Sequence, residues 1–159
     1  MAAEQAIGQV TGRVYTSSQF NCFIAAPSGW QIATSLNPAH LVEMQYQKCR
    51  SLARLIAVKG LGPDATVDEV FNRRLDSLKP VVTDFNEVRR TETVLAGMPA
   101  IESVQTFKIE ELGVFHVKEV TVLLDGIYYL ILCQCIEPYN LAVLEKDFDA
   151  IIRSLGFTQ

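Results

Sequence analysis

Cys133 and Cys135 are the residues of this sequence whose type and spacing best suit chemistry, because they lie two apart in an apolar predicted strand. Side chains two apart in a strand share one face. With His116 on an earlier strand, they could supply a nucleophile and its base, or part of a metal site. The four cysteines contain no Cys-x-x-Cys pair, and neither His40 nor His116 has a spacing that completes a metal set. We therefore predict buried thiols with no metal, and a small enzyme or metal-binding protein using these three residues is the alternative.

Other catalytic patterns are absent from the sequence. It has no Gly-x-Ser-x-Gly, no P-loop and no Gly-x-Gly-x-x-Gly. Arg89 and Arg90 are adjacent on a predicted strand, so their side chains should point to opposite faces. We predict no catalytic, cofactor-binding or metal-binding residues and no cofactor. The predicted function is a non-catalytic interaction or accessory module that binds a protein partner or a small ligand.

The composition excludes several other classes. The chain has 159 residues, is 49% hydrophobic and 20% charged, and carries a net charge of −4. This apolar content excludes a disordered chain, and the acidic balance argues against sequence-independent nucleic-acid binding. The most apolar stretch, Val120–Ile136, is interrupted by Asp125, Gly126 and Gln134, so no transmembrane segment is predicted.

The hydrophobic pattern predicts several strands and two helices. A capping box at Thr66 and Glu69 should start the first helix, and Gly156 should end the second as a left-handed residue. Alternation and β-branched content predict strands at Val10–Thr16, Phe20–Ile24, Trp30–Ile32, Val42–Tyr46, Leu52–Lys59, Glu87–Leu95, Ala100–Glu110, Val114–Leu124 and Ile127–Ile136.

These elements predict an α+β fold. The short junctions between the later strands, including Asp125-Gly126, favour antiparallel hairpins, and Ile127–Cys133 is apolar on both faces. We expect a central, mainly antiparallel sheet of about six to seven strands with helices packed on both faces. Residues 1–9 should form an N-terminal arm and residues 10–159 a single domain.

Three motifs occur in order along the chain: the opening Phe20-x-x-x-Ile24-x-x-Pro27-x-Gly29-Trp30, the turn Gly97-x-Pro99-Ala100, and the final helix with Phe148, Ile152 and Leu155. Together they resemble the PsbP-like superfamily. The structural signature therefore comprises Phe20, Pro27, Gly29, Trp30, Thr66, Glu69, Gly97, Pro99, Phe148 and Gly156.

The resemblance implies a fold more than a function. The superfamily includes extrinsic photosystem subunits, a yeast Ran-binding protein and bacterial envelope lipoproteins, so it implies a central sheet between helices and a largely non-enzymatic binding role. The start of the chain has no basic residues followed by an apolar run, as a signal peptide would. The same composition suits a mature chain whose leader was removed. An exported or envelope-associated location is therefore expected in preference to a cytoplasmic one.

Overall fold

The computed structural model describes residues 8–35 and 40–158 of the protein. The strands and helices of these residues are β1 (Gly8–Thr11), β2 (Val14–Ser17), β3 (Cys22–Ala25), β4 (Gln31–Thr34), β5 (Val42–Tyr46), β6 (Ser51–Val58), α1 (Val67–Leu78), β7 (Thr83–Leu95), β8 (Met98–Ile109), β9 (Gly113–Leu124), β10 (Ile127–Ile136), α2 (Leu141–Arg153) and β11 (Gly156–Phe157).

The strands form two antiparallel sheets. The large sheet has seven strands in the order β4-β5-β6-β10-β9-β8-β7, and the small sheet has four in the order β1-β2-β3-β11. Asp125 and Gly126 make the tight turn between β9 and β10, both with positive φ. The predicted antiparallel α+β fold is confirmed, and the small sheet is an addition that the sequence analysis did not anticipate.

The beginning of the chain differs from the prediction. The predicted strand Val10–Thr16 is two strands, because Gly12 has φ 62° and lets the chain reverse between β1 and β2. β1 begins at Gly8, so Gly8 and Gln9 lie in the small sheet rather than in the predicted arm. The rest of that arm, residues 1–7, lies outside the described residues.

The two faces of the large sheet are covered by different elements. One face, called here the α2 face, packs against α2 and the small sheet around buried residues such as Trp30, Tyr129 and Phe148. The opposite α1 face packs against α1 through Phe71 and Leu75. The predicted placement of helices on both faces is confirmed. β10 lies between the covered faces, which explains why its sequence is apolar on both sides.

Most turn and cap residues of the signature occupy the positions expected from their chemistry. Thr66 is the N-cap of α1, and its hydroxyl accepts a hydrogen bond from the Glu69 amide at 3.2 Å. Gly29 and Gly97 have φ values of 89° and 81°, which glycine adopts without strain. Pro99 lies in β8 opposite Val94 of β7.

The prediction for Gly156 is wrong. This residue is not left-handed but lies in β11, where it pairs with Phe23 of β3. A Cβ at position 156 would overlap the Phe23 ring, so glycine is needed for the close approach of the ring and not for backbone conformation. The helix ends at Arg153, and the hydroxyl of its C-cap Ser154 donates to the Ile151 carbonyl at 2.6 Å and accepts from the Ala25 amide at 2.8 Å.

Candidate functional site

Neither face of the large sheet is covered completely. α1 leaves one edge of its face open, and α2 with the small sheet leaves the opposite edge of the other face open. On the α1 face, α1 packs on β8 and β9, so the end formed by β4, β5 and β6 is uncovered. On the α2 face, the end formed by β7 and β8 is uncovered beside α2. Each open end contains a cleft. We call the first the polar cleft and the second the charged cleft.

The polar cleft has a volume of about 440 Å³. Its walls carry hydrogen-bonding side chains from β4, β5 and β6, chiefly Gln31, Thr34, Glu43, Gln45 and Arg54. The register explains why they meet: Gln31 lies opposite Gln45 and Glu43 lies opposite Arg54 on the same face. A donor and acceptor surface therefore continues across three strands.

The polar cleft is close to electrically neutral. The Arg54 Nε donates to the Glu43 carboxylate at 2.8 Å, so these two charges offset each other. Burial and the nearby Arg54 guanidinium lower the pKa of His40 against the opposite effect of Glu43, which favours the neutral imidazole. His40 Nδ1 is buried and has no hydrogen-bond partner within the described part of the chain. The cleft therefore suits a neutral, hydrogen-bonding ligand.

The polar cleft also surrounds the outer edge of a strand. All four residues of β4 line it, although neighbouring residues of a strand point to opposite faces. This is possible because β4 is the terminal strand of the large sheet. β1 and β2 of the small sheet approach β4, but within the described residues neither pairs with it, so the backbone N–H and C=O groups on its outer side make no strand hydrogen bonds there.

The charged cleft has a volume of about 360 Å³ and is already paired internally. Lys118 lies on its floor with 6% of its side chain exposed, and its Nζ donates to Asp149 at 2.6 Å. Glu145 and Glu102 lie 3.7 and 3.8 Å from the same Nζ, and Arg89 lies 3.6 Å from Glu102. A ligand here would have to displace existing ion pairs, which makes this cleft the weaker candidate.

A third polar group lies under α1 and is structural. The carboxylate of Glu119 is fully buried, accepts from Arg74 Nε at 2.8 Å and also accepts from Gln105. Farther along the same face, burial alone would raise the pKa of Glu87, but hydrogen bonds from Arg90 and Ser103 outweigh it and lower that pKa. These bonds tie α1 to β7, β8 and β9 rather than form a cleft.

The structure does not assemble the thiol site of the alternative hypothesis. Cys133 and Cys135 share the α2 face as expected, but both are fully buried. His116 lies opposite Cys135 in the register, yet its Nε2 lies 3.0 Å from a carboxylate oxygen of Glu137. Burial raises the pKa of Cys135 and of Cys22 to about 11, so both remain protonated at neutral pH. Among the described residues, no group of three or more His, Cys, Asp or Glu side chains is arranged to hold a metal ion.

Thiol reactivity provides a direct test of this placement. At pH 8 we expect one fast-reacting thiol per native chain toward the Ellman reagent, because Cys49 alone is only half-buried. Cys22, Cys133 and Cys135 should react only as the protein unfolds. A Cys49→Ser variant should lose the fast phase. A fast-reacting thiol that remains in that variant would contradict the burial described above.

The signature residues do not converge on either cleft. Phe20, Trp30 and Phe148 are buried in the core of the α2 face. The cleft residues were not predicted from the sequence. A single polar residue within an apolar strand, such as Arg54, does not by itself indicate a binding site. Glu43 and Gln45 alternate with apolar residues and therefore share one side of β5, but only the strand order places that side next to β4.

Comparisons with known proteins support the fold and little else. No family model matches the sequence, and no curated protein matches it. Solved structures do match. Cyanobacterial PsbP (CyanoP) from Synechocystis sp. PCC 6803 aligns with a TM-score of 0.67 at 13% identity, covering 99% of this chain and 96% of that one.

Two further structures agree. The protein Mog1, as an E65A mutant, aligns with a TM-score of 0.66 at 8% identity, covering 94% of this chain and 97% of that one. LpqN of Mycobacterium tuberculosis, described as involved in cell envelope biogenesis, aligns with a TM-score of 0.65 at 14% identity, covering 87% and 83%. The chain has the PsbP-like superfamily fold. Within the described residues, no helix is long and apolar enough to cross a membrane.

Proposed function

We propose that this protein is a non-catalytic binding module that recognises an extended, polar segment of a protein partner in the polar cleft. The observation that carries the proposal is the cleft's position around the free edge of β4. A polypeptide in extended conformation can hydrogen-bond to such an edge as an added strand. The neighbouring side chains would then select which segments bind.

The chemistry of the cleft walls supports a peptide as the ligand. Gln31 and Gln45 each offer an amide donor and an acceptor, the groups that pair with peptide bonds and polar side chains. The Arg54–Glu43 pair adds charged donors and acceptors without a net charge. A strongly charged segment would gain little here, whereas a neutral polar segment can satisfy these groups.

The arrangement of nucleophiles supports a binding role over catalysis. The buried thiols with raised pKa are poor nucleophiles. His40 lies at the cleft, where the described walls contain no cysteine but do contain the hydroxyls of Thr34 and Ser35, so His40→Ala is the variant that tests for catalysis. Mog1, PsbP and LpqN share only the fold with this chain. They agree with a binding module, but they do not indicate which partner it binds.

The proposal is tested by selecting peptides from a random twelve-residue display library on the wild-type protein. Selected peptides should bind wild-type protein and lose at least about tenfold in affinity for Ala33→Trp, which fills the cleft beside β4. Ala33 is exposed, so the substitution leaves the core unchanged. The matched control is Ala142→Trp, at an exposed position of α2.

Two results would overturn the proposal. One is a selection that yields only peptides whose affinity is equal for wild-type protein and Ala33→Trp. The other is turnover of a substrate in a broad hydrolase screen, lost in His40→Ala but kept in His116→Ala. That second result would replace the binding module with an enzyme centred on the same cleft.

We also propose that the protein works in the cell envelope or after export. The support is the fold shared with LpqN, whose description places it in envelope biogenesis. Fractionation of cells expressing the full gene tests this: protein in the envelope or external fraction supports it. Protein confined to the cytosolic fraction contradicts it. The four free cysteines would agree with that result, because the cytosol keeps thiols reduced.

A further inference from the structure

β7 forms the other edge of the large sheet, and it is long and open. It has thirteen residues, and in the described part of the chain nothing pairs with its outer side. Its pairing with β8 is irregular between Thr83 and Arg89 but regular from Arg89 to Leu95. Bulges and short strands usually protect sheet edges, and the second half of β7 has neither.

The sequence of this open half is self-complementary about Thr91. An antiparallel copy centred there would place Arg90 opposite Glu92 of the other chain, and Glu92 opposite its Arg90. Thr91 would meet Thr91, a favourable β-branched pair. Val88 and Val94, exposed by 57% and 68%, would approach each other at both ends.

We propose that β7 pairs with β7 of a second copy of this chain, antiparallel and centred on Thr91, to form a continuous fourteen-stranded sheet. Opposite charges face each other at Arg90–Glu92 and β-branched residues at Thr91–Thr91 and Val88–Val94, whereas a one-residue slip breaks the Arg90–Glu92 pairing. No ion pair is recorded for Glu92 within the described residues, so its carboxylate is available to the second chain. Pairing also covers two exposed valines on each chain.

The existing contacts of β7 agree with this geometry. Arg90 is held in place by Glu87 at 2.9 Å, by Asn72 at 3.0 Å and over the Phe71 ring at 4.6 Å. These contacts use Nε and one N–H each of Nη1 and Nη2, so two N–H groups of the guanidinium remain for Glu92 of the second chain. Arg89 is directed to the other face toward Glu102, so the two arginines do not compete for Glu92.

The register is tested by cysteine crosslinking in a Cys49→Ser background. Two Thr91→Cys thiols would face each other about 5 Å apart between Cβ atoms, within reach of a disulfide. Copper phenanthroline with oxygen accepts the two electrons and two protons released as the S–S bond forms. Two Thr93→Cys thiols would lie four residues out of register, about 13 Å apart. We expect covalent dimer from Thr91→Cys and none from Thr93→Cys.

The charge pattern is tested by solution mass. Wild-type protein should elute at twice the 17.7 kDa chain mass, and Glu92→Arg should weaken the dimer by about tenfold or more because like charges then meet twice. Glu110→Arg makes the same charge change at an exposed turn and should leave the dimer intact. If the dimer has a Kd of about 1 μM, protein at about 100 μM is almost entirely dimeric. A protein that stays monomeric up to that concentration would overturn the proposal. So would equal crosslinking at positions 91 and 93, or a dimer unaffected by Glu92→Arg.

Discussion

Replacing Trp30 with alanine is expected to lower the free energy of unfolding by about 3–5 kcal/mol, the usual cost of removing a buried aromatic side chain. Trp30 is 5% exposed, stacks on Tyr46 at 5.5 Å between ring centroids and meets Phe148 edge-on at 6.0 Å. Its Nε1 also donates to Asp147 at 2.9 Å. The indole therefore joins β5, α2 and the turn at Gly29. Urea denaturation followed by circular dichroism measures the change.

Trp30→Phe separates packing from hydrogen bonding. A phenyl ring keeps most of the contact with Tyr46 and Phe148 but loses the donor to Asp147, so we expect about 1–2 kcal/mol. If Trp30→Ala and Trp30→Phe cost the same, the hydrogen bond rather than the packing would hold α2 to the sheet. If neither costs more than about 0.5 kcal/mol, the described core of the α2 face would be wrong.

Arg74→Ala is expected to cost about 3 kcal/mol, because it leaves the fully buried Glu119 carboxylate without its cation. The value is at the lower end for a broken buried pair since 22% of the Arg74 side chain is exposed, and water can enter from that side. Gln105 continues to donate to Glu119 but cannot offset a charge. Denaturant midpoints at neutral pH provide the measurement.

Two companions make the Arg74 result specific. Arg73→Ala is the same substitution at an exposed neighbouring position of α1, and should change stability by less than about 0.5 kcal/mol. The double variant Arg74→Met with Glu119→Gln removes both charges and should recover most of the loss. Equal destabilisation by Arg73→Ala and Arg74→Ala would mean that the helix, and not the ion pair, is what the mutation disturbs.

Local patterns in the sequence were sufficient to predict most of the fold. The Thr66 cap and the Asp125-Gly126 turn depend on interactions within a few residues, and the apolar run of β10 marks a strand covered on both faces; all three appear in the structure. The failures were at Gly12 and Gly156. A glycine can serve either in a turn with positive φ or where a neighbouring side chain packs against the backbone. Which role applies depends on residues far away in the sequence, such as Phe23 for Gly156.

The candidate site was much less predictable. Gln31, Glu43 and Arg54 come from three strands, and they meet because β5 pairs with β4 on one side and with β6 on the other. The register of that pairing is a tertiary property with no local signal. The self-complementary pattern around Thr91 is present in the sequence. It indicates pairing between two chains only once β7 is known to be an edge strand.

Hydrogen exchange on the protein with a selected peptide tests the central claim, that the free edge of β4 receives an extended partner segment. Within the described residues, backbone amides on the outer side of β4 have no strand partner, so they should exchange quickly in the free protein and slowly in the complex. We expect new protection within Gln31–Thr34, with Thr83–Leu95 unchanged at protein concentrations where the association through β7 is constant. Protection that appears at α2 or the charged cleft, with β4 exchanging as before, would contradict it.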